Sequence, residues 1–190
     1  MNTLTVVLVI VAIVVVLGLG WIGIYNRLIK QRNWVKEAFS QIDVQLQRRN
    51  DLIPNLVNTV KGYAKHESET LNAVTQARQQ LVNVSQTGSA TEINAVSNEL
   101  TSALSRLIAV SERYPDLKAN SNFQQLQQTL EDTEDKIAIA RQLYNSTVVQ
   151  YNNTVQTVPN NIVANVHHFE VESTLEAPAE ARQVPTVSFE

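Results

Sequence analysis

The side chains best suited to metal or acid–base chemistry are three histidines (His66, His167 and His168) and an acidic run (Glu131, Asp132, Glu134 and Asp135). A di-iron carboxylate centre in a helical bundle needs Glu-x-x-His on each of two helices. Tyr63 stands three residues before His66 and Ala164 three before His167, so that pattern is missing. The stretch His66-Glu67-Ser68-Glu69-Thr70 lacks the second histidine that a zinc protease needs one helical turn on. At helical spacing the four acids flank an apolar face, and such a group reads as solvated surface. Gly18-Leu19-Gly20-Trp21-Ile22-Gly23 spells G-x-G-x-x-G. A dinucleotide site needs that motif between a strand and a helix. Here it lies inside an apolar run of the kind in which glycine is common. No Ser, Thr or Lys stands in a nucleophile motif. With no cysteine there is no thiol nucleophile, disulfide or lipid-attachment thiol. These residues assign no catalytic, cofactor-binding or metal-ligating side chain, and the expectation is a non-enzymatic protein without a cofactor.

The elements around them are more telling. From Leu4 to Tyr25 no residue is charged, and about 22 apolar residues match the hydrocarbon thickness of a bilayer. Its flank, Met1-Asn2-Thr3, carries no basic side chain, the apolar core is too long and no Ala-x-Ala site follows, unlike a cleaved signal peptide. Trp21 and Tyr25 stand where interfacial aromatics belong. Arg27, Lys30, Arg32 and Lys36 all follow the apolar stretch, which predicts the N-terminus outside and the remainder in the cytoplasm. Elsewhere Gln, Asn, Ser and Thr dominate the polar positions, and charged residues make up 17% of the chain. A net charge of −3 without a basic stripe gives no sign of nucleic-acid binding, and no nucleic-acid partner is expected.

Beyond the apolar stretch, Leu28, Val35, Phe39, Ile42 and Leu46 recur on one helix face. The anchor is therefore expected to run without a hinge into a first bundle helix ending near Asn50, giving a rod of about 70 Å. Asp51 and Pro54 predict a break and a new start, because proline is accepted in a first helical turn but not deeper. A second helix is expected to carry Val57, Val60, Ala64, Leu71, Val74 and Leu81, with Glu67 and Arg78 also on its seam, and to end at Thr87-Gly88. Ser89 with Glu92 forms a capping box. It opens a third helix with Ile93, Val96, Leu100, Ala103, Leu107, Val110 and Tyr114 on one face, stopped by Pro115-Asp116. A second capping box, Ser121 to Gln124, opens a fourth, whose seam runs from Phe123 through Ile137 and Tyr144 to Val158. Phe169 and Val171 alternate with Glu170 and Glu172, and Pro178 and Pro185 follow, so the end is expected to be extended, docked by Val187 and Phe189. The expected fold is all-α: a transmembrane anchor at 1–25, continuous with a long antiparallel three- or four-helix bundle at 26–158, and an extended, partly docked tail at 159–190.

Several strings together resemble one family. They are Tyr25-Asn26-Arg27-Leu28; the run SQIDVQLQRRNDLIPNLV over 40–57; VKGYAKHE over 60–67; YPDLKAN over 114–120; Ala140-Arg141 with Tyr144-Asn145 and Tyr151-Asn152; and Pro185-Thr186-Val187-Ser188-Phe189. In these the chain resembles the bacterial LemA family over nearly its whole length. The resemblance implies a helical-bundle domain on one N-terminal anchor and implies no established activity. A related branch in magnetotactic bacteria is associated with shaping the magnetosome membrane, which makes membrane organisation an expectation by analogy.

Two functions follow as expectations. The first is a single-pass scaffold in the bacterial inner membrane that self-assembles as a homo-oligomer and organises the membrane or envelope, with the lipid bilayer as its other partner. The second is a membrane-tethered sensor or adaptor that binds a ligand or partner protein. Caps and turns account for Asp51, Pro54, Tyr114, Pro115, Asp116 and Asn120, and amides bridging helices account for Asn26, Asn145 and Asn152.

Overall fold

The structure, a computed structural model, describes residues 2–64 and 66–176. Val187, Phe189 and the Pro185–Phe189 string lie outside the described residues. The described chain is helical, as the periodicity predicts. Helix α1 (Thr3–Tyr63) is the longest, and α2 (Ser68–Thr87), α3 (Ala90–Ser111), α4 (Pro115–Lys118), α5 (Ser121–Gln156) and α6 (Asn160–Val166) follow.

Helix α1 corrects the expected break at Asp51–Pro54: it continues through Pro54 to Tyr63. A proline inside a helix removes one N–H and orphans the carbonyl four residues earlier. Here that carbonyl belongs to Asn50, and Arg78 Nε donates to it at 3.0 Å. A side chain from α2 thus replaces the bond that Pro54 cannot make. Asp51 does not cap; it accepts from Gln47 Nε2 at 2.9 Å on the surface of the same helix. Val57, Val60 and Ala64 therefore belong with α1 and its end, and α2 starts only at Ser68.

The chain divides into two compact units. Among the described residues, one comprises 39–142 and 174–176. Its core takes Ile42, Leu46, Ile53, Leu56 and Val60 from α1, Leu71, Val74 and Leu81 from α2, and Ile93, Leu100, Leu104 and Leu107 from α3. Leu117, Phe123, Leu130 and Ile137 complete it. Helices α2 and α3 pack on one another across a short link at Gly88. Any Cβ on Gly88 would lie 2.7 Å from the Val84 carbonyl oxygen, a distance no side chain tolerates. The Ser89–Glu92 capping box forms as predicted: Glu92 N–H donates to Ser89 Oγ, and Ser89 N–H donates to Glu92 Oε2 at 2.7 Å. The box predicted at Ser121–Gln124 does not. Asn120, one residue earlier, caps α5 by accepting from Phe123 N–H at 3.0 Å, and Gln124 Nε2 reaches back to the Lys118 carbonyl. An asparagine immediately ahead of the helix outcompetes a serine already inside it.

The other unit comprises, among the described residues, 2–38 and 143–173. Leu28, Val35 and Ala38 are buried on its part of α1, and Tyr144, Val148, Tyr151 and Val155 on its part of α5. Val158, which the periodicity places on the same seam, is exposed because α5 ends at Gln156. After Pro159 the chain turns into α6, so this part of the predicted extended tail is helical. Chain without regular secondary structure begins only after His168, and Phe169 is buried there. Asn152 holds it: its Nδ2 donates to the Glu172 carbonyl at 2.8 Å and its Oδ1 accepts from Glu172 N–H at 2.9 Å. A single amide thereby supplies both bonds that a neighbouring strand would.

Candidate functional site

The most polar place in the interior is built around Arg49, whose side chain is wholly buried. Its Nη1 donates to Glu134 Oε1 and to Thr101 Oγ1, both at 2.9 Å, and its Nη2 donates to Ser97 Oγ at 2.8 Å. Arg141 Nη2 donates to the same Ser97 oxygen at 2.9 Å. Residues from α1, α3 and α5 are thus tied through one guanidinium. Two arginines stand near one carboxylate here, and only Arg49 is bonded to it. Burial, with Arg49 beside it, pushes the Arg141 guanidinium below its usual pKa, and Glu134 partly offsets this. Arginine nevertheless stays protonated in proteins, so the cluster keeps a positive excess.

Chemically this cluster holds helices in register. Ser97 is fully buried, and its oxygen accepts from two cations. Glu134 is engaged by Arg49 and Thr101, so it is not placed to take a proton from Ser97. A fixed network of charge-assisted bonds specifies one arrangement of helices over its slipped alternatives. Beside it a groove of about 380 Å³ lies over Leu104, Ile108 and Leu130, with Glu131, Glu134 and Asp135 at its rim. An apolar floor under a carboxylate rim suits a cationic amphiphile or a basic side chain.

A second polar junction secures the turn after α1. Glu67 accepts from Arg113 Nη2 at 3.0 Å and from the Tyr114 hydroxyl at 3.2 Å. Asn120 Nδ2 donates to the Tyr63 hydroxyl at 2.9 Å. In the other unit, Trp21 Nε1 donates to His167 Nε2 at 3.2 Å, and the Tyr25 ring lies 4.7 Å from the His167 ring.

The histidines and acids singled out in the sequence are dispersed. His66 sits in the exposed turn before α2, His167 is engaged by Trp21, and His168 is exposed with a positive φ of 54°. Among the described residues no three His, Cys, Asp or Glu side chains converge as metal ligands would. Of the acidic run, Glu131, Asp132 and Asp135 are exposed, but Glu134 turns inward to Arg49. Arg49 itself gave no signal by type, since Arg48 and Arg49 stand near the expected end of the first bundle helix, where basic side chains suit the helix dipole. The usable sign was its place in the seam, seven residues after Ile42 and three after Leu46.

The family model for the LemA family matches residues 38–189. The protein LemA of Metamycoplasma hominis is 29% identical over 145 residues, covering 76% of this chain and 65% of the relative. A magnetosome protein, MamQ of Magnetospirillum gryphiswaldense, is 25% identical over 179 residues, covering 82% and 66%. MamQ 2 of Paramagnetospirillum magneticum is 26% identical over 168 residues, covering 76% and 62%. Each match spans less than two thirds of the relative's own length. None of these relatives is named for a reaction.

Proposed function

The chain belongs to the LemA family, and from that premise we propose that it is a non-enzymatic, membrane-anchored helical scaffold. Its α1 contains an apolar segment long enough to cross a bilayer, none of it buried within the chain. In the proposed arrangement this segment crosses the bacterial inner membrane once, with the N-terminus outside. Copies held in one orientation gain a high effective concentration, so weak lateral contacts add up. The observation that carries the reading is a set of exposed apolar side chains beyond the anchor: Val44 on α1 and Ile139, Leu143 and Val149 on α5. Of these, Ile139 and Leu143 stand one turn apart on the same side of α5, and adjoining exposed apolar side chains mark contacts between copies where single ones do not. The relatives named as magnetosome proteins support membrane organisation as the setting.

The test is mild-detergent extraction followed by mass measurement, with disulfide crosslinking of Ile139→Cys in vesicles. Species larger than one chain, weakened by Ile139→Asp, are expected. A strictly monomeric particle at high concentration would overturn the scaffold. Labelling a cysteine at exposed Gln80 from outside intact cells tests the orientation: no labelling is expected.

The carboxylate-rimmed groove between α3 and α5 favours a second reading, an adaptor that takes a basic partner segment. In-cell crosslinking separates the two. Mainly self-crosslinks support the scaffold, and one dominant other protein supports the adaptor.

A further inference from the structure

Helix α6 is apolar on two faces. Val163 and Ala164 are buried inside their unit. Val158, just ahead of the helix, and Ile162 and Val166 within it recur every four residues on another face and remain 77%, 54% and 58% exposed. Only asparagines, at 160, 161 and 165, supply polarity along Asn160–Val166. Ile162 and Val166 lie on the side away from the asparagines, next to the buried Val163, so the apolar side of the helix is wider than the part its own unit covers.

Where α6 ends identifies what meets the uncovered part. His167, directly after it, accepts the Trp21 hydrogen bond and packs against Tyr25, and Phe169 meets Tyr25 edge-on at 5.9 Å. Trp21 and Tyr25 close the uncharged stretch of α1, at the depth where aromatic rings meet lipid headgroups. The short helix, about 10 Å long, is therefore fastened to the anchor at the level of the interface. Composition agrees independently: from Thr157 to Phe169, α6 and its flanks contain no Asp, Glu, Lys or Arg, and charge returns at Glu170. Such a run keeps ionised groups out of the headgroup–acyl boundary, where burying them is costly.

We propose that the Val158–Ile162–Val166 face of α6 is a second membrane contact, lying in the headgroup–acyl boundary beside the point where α1 leaves the bilayer. The proposal rests on the reading of α1 as membrane-spanning. Three aliphatic side chains would hold a free peptide only weakly at a membrane. Tethered to the anchor, the same face meets the lipid at high effective concentration and fixes which side of the anchor exit turns to the bilayer.

The absence of native cysteine makes the test direct. Single variants of the full chain, Ile162→Cys, Val14→Cys in the anchor and Gln80→Cys on the exposed face of α2, are spin-labelled. They are then reconstituted in phosphatidylethanolamine–phosphatidylglycerol vesicles. Collision with oxygen, which concentrates in lipid, is compared with collision with a water-soluble nickel chelate. The oxygen-to-nickel ratio at position 162 is expected to exceed that at position 80 several-fold and to approach that at position 14. A lipid-exposed label at 14 with a wet label at 162 overturns the proposal and leaves the anchor intact. A label at 162 shielded from both reagents also overturns it and assigns the face to a second copy. Wet labels at both 14 and 162 overturn the anchor itself and, with it, the proposal.

Discussion

Arg49 and Glu134 meet at 2.9 Å from unequal surroundings: the arginine side chain is 0% exposed and the glutamate 29%. The pair therefore cannot be judged as a surface salt bridge of little worth. Removing the carboxylate leaves the wholly buried Arg49 without its counter-charge, beside the half-buried Arg141. Glu134→Ala is expected to destabilise the protein by about 3 kcal/mol, the scale for stranding a buried ion-pair partner. Denaturant unfolding of the full chain in micelles, followed by circular dichroism, measures this. Arg49→Met with Glu134→Leu fills the same space without charge and is expected to recover most of the loss. A double variant no better than Glu134→Ala would show that the charge imbalance was not the cause.

Pro54 and Arg78 form a second testable dependence. Arg78 serves the Asn50 carbonyl only because proline has left it without its helical partner. Arg78→Leu is expected to cost about 1–2 kcal/mol in the natural sequence, the scale of an orphaned buried acceptor. In a Pro54→Ala background the restored N–H takes over, and the same substitution is expected to cost much less. The double-mutant cycle reads this coupling directly. Equal costs in both backgrounds would sink the assignment.

The capping box at α3 gives an acid-side prediction. The Ser89 backbone N–H, and then its hydroxyl, hold the Glu92 carboxyl below its ordinary pKa. A depressed folded-state pKa means the stabilisation is present above the unfolded glutamate value, about 4.3, and is lost as pH falls through the folded value. Thermal unfolding between about pH 6 and pH 3 is expected to lose part of its acid sensitivity in Glu92→Gln, which cannot titrate. Identical pH profiles for the two proteins would contradict this.

Periodicity made most of the fold legible. The seams Leu28–Leu46, Ile93–Val110 and Phe123–Val155 are buried largely as their spacing requires. Misjudgements came where a side chain far along the chain changed a local rule. Pro54 reads as a helix start until Arg78 supplies the missing donor, and that contact leaves no local signal. Glu134 reads as solvated among its acidic neighbours until Arg49 arrives from α1. The strings that carry the family resemblance converge in space: Tyr63 and Glu67 of one meet Tyr114 and Asn120 of another. Helix α6 escaped notice because seven residues are too few to show a period.

Tyr144 carries the last prediction, on the alkaline side. Its hydroxyl donates to the Ser173 carbonyl at 3.2 Å, next to the pairing of Asn152 with Glu172. Burial, and then the charge of Glu172, push the Tyr144 phenol above its usual pKa. Tyrosine is neutral when protonated, so a raised folded-state value means full stability below the unfolded value of about 10 and loss as pH rises past it. The chain around Glu172 should feel this first, because an ionised phenolate can no longer donate to Ser173 and repels Glu172. A label at Val171→Cys is expected to gain mobility above about pH 10 while helical circular dichroism is still native. Tyr144→Phe, which has no hydroxyl to lose, is expected to raise that mobility already at neutral pH and to flatten its alkaline rise. Asn152→Ala is expected to mobilise the same label at every pH, since it removes both bonds to Glu172. A label that stays fixed in both variants would show that this stretch is held by its other contacts, such as the buried side chains of Phe169 and Leu175.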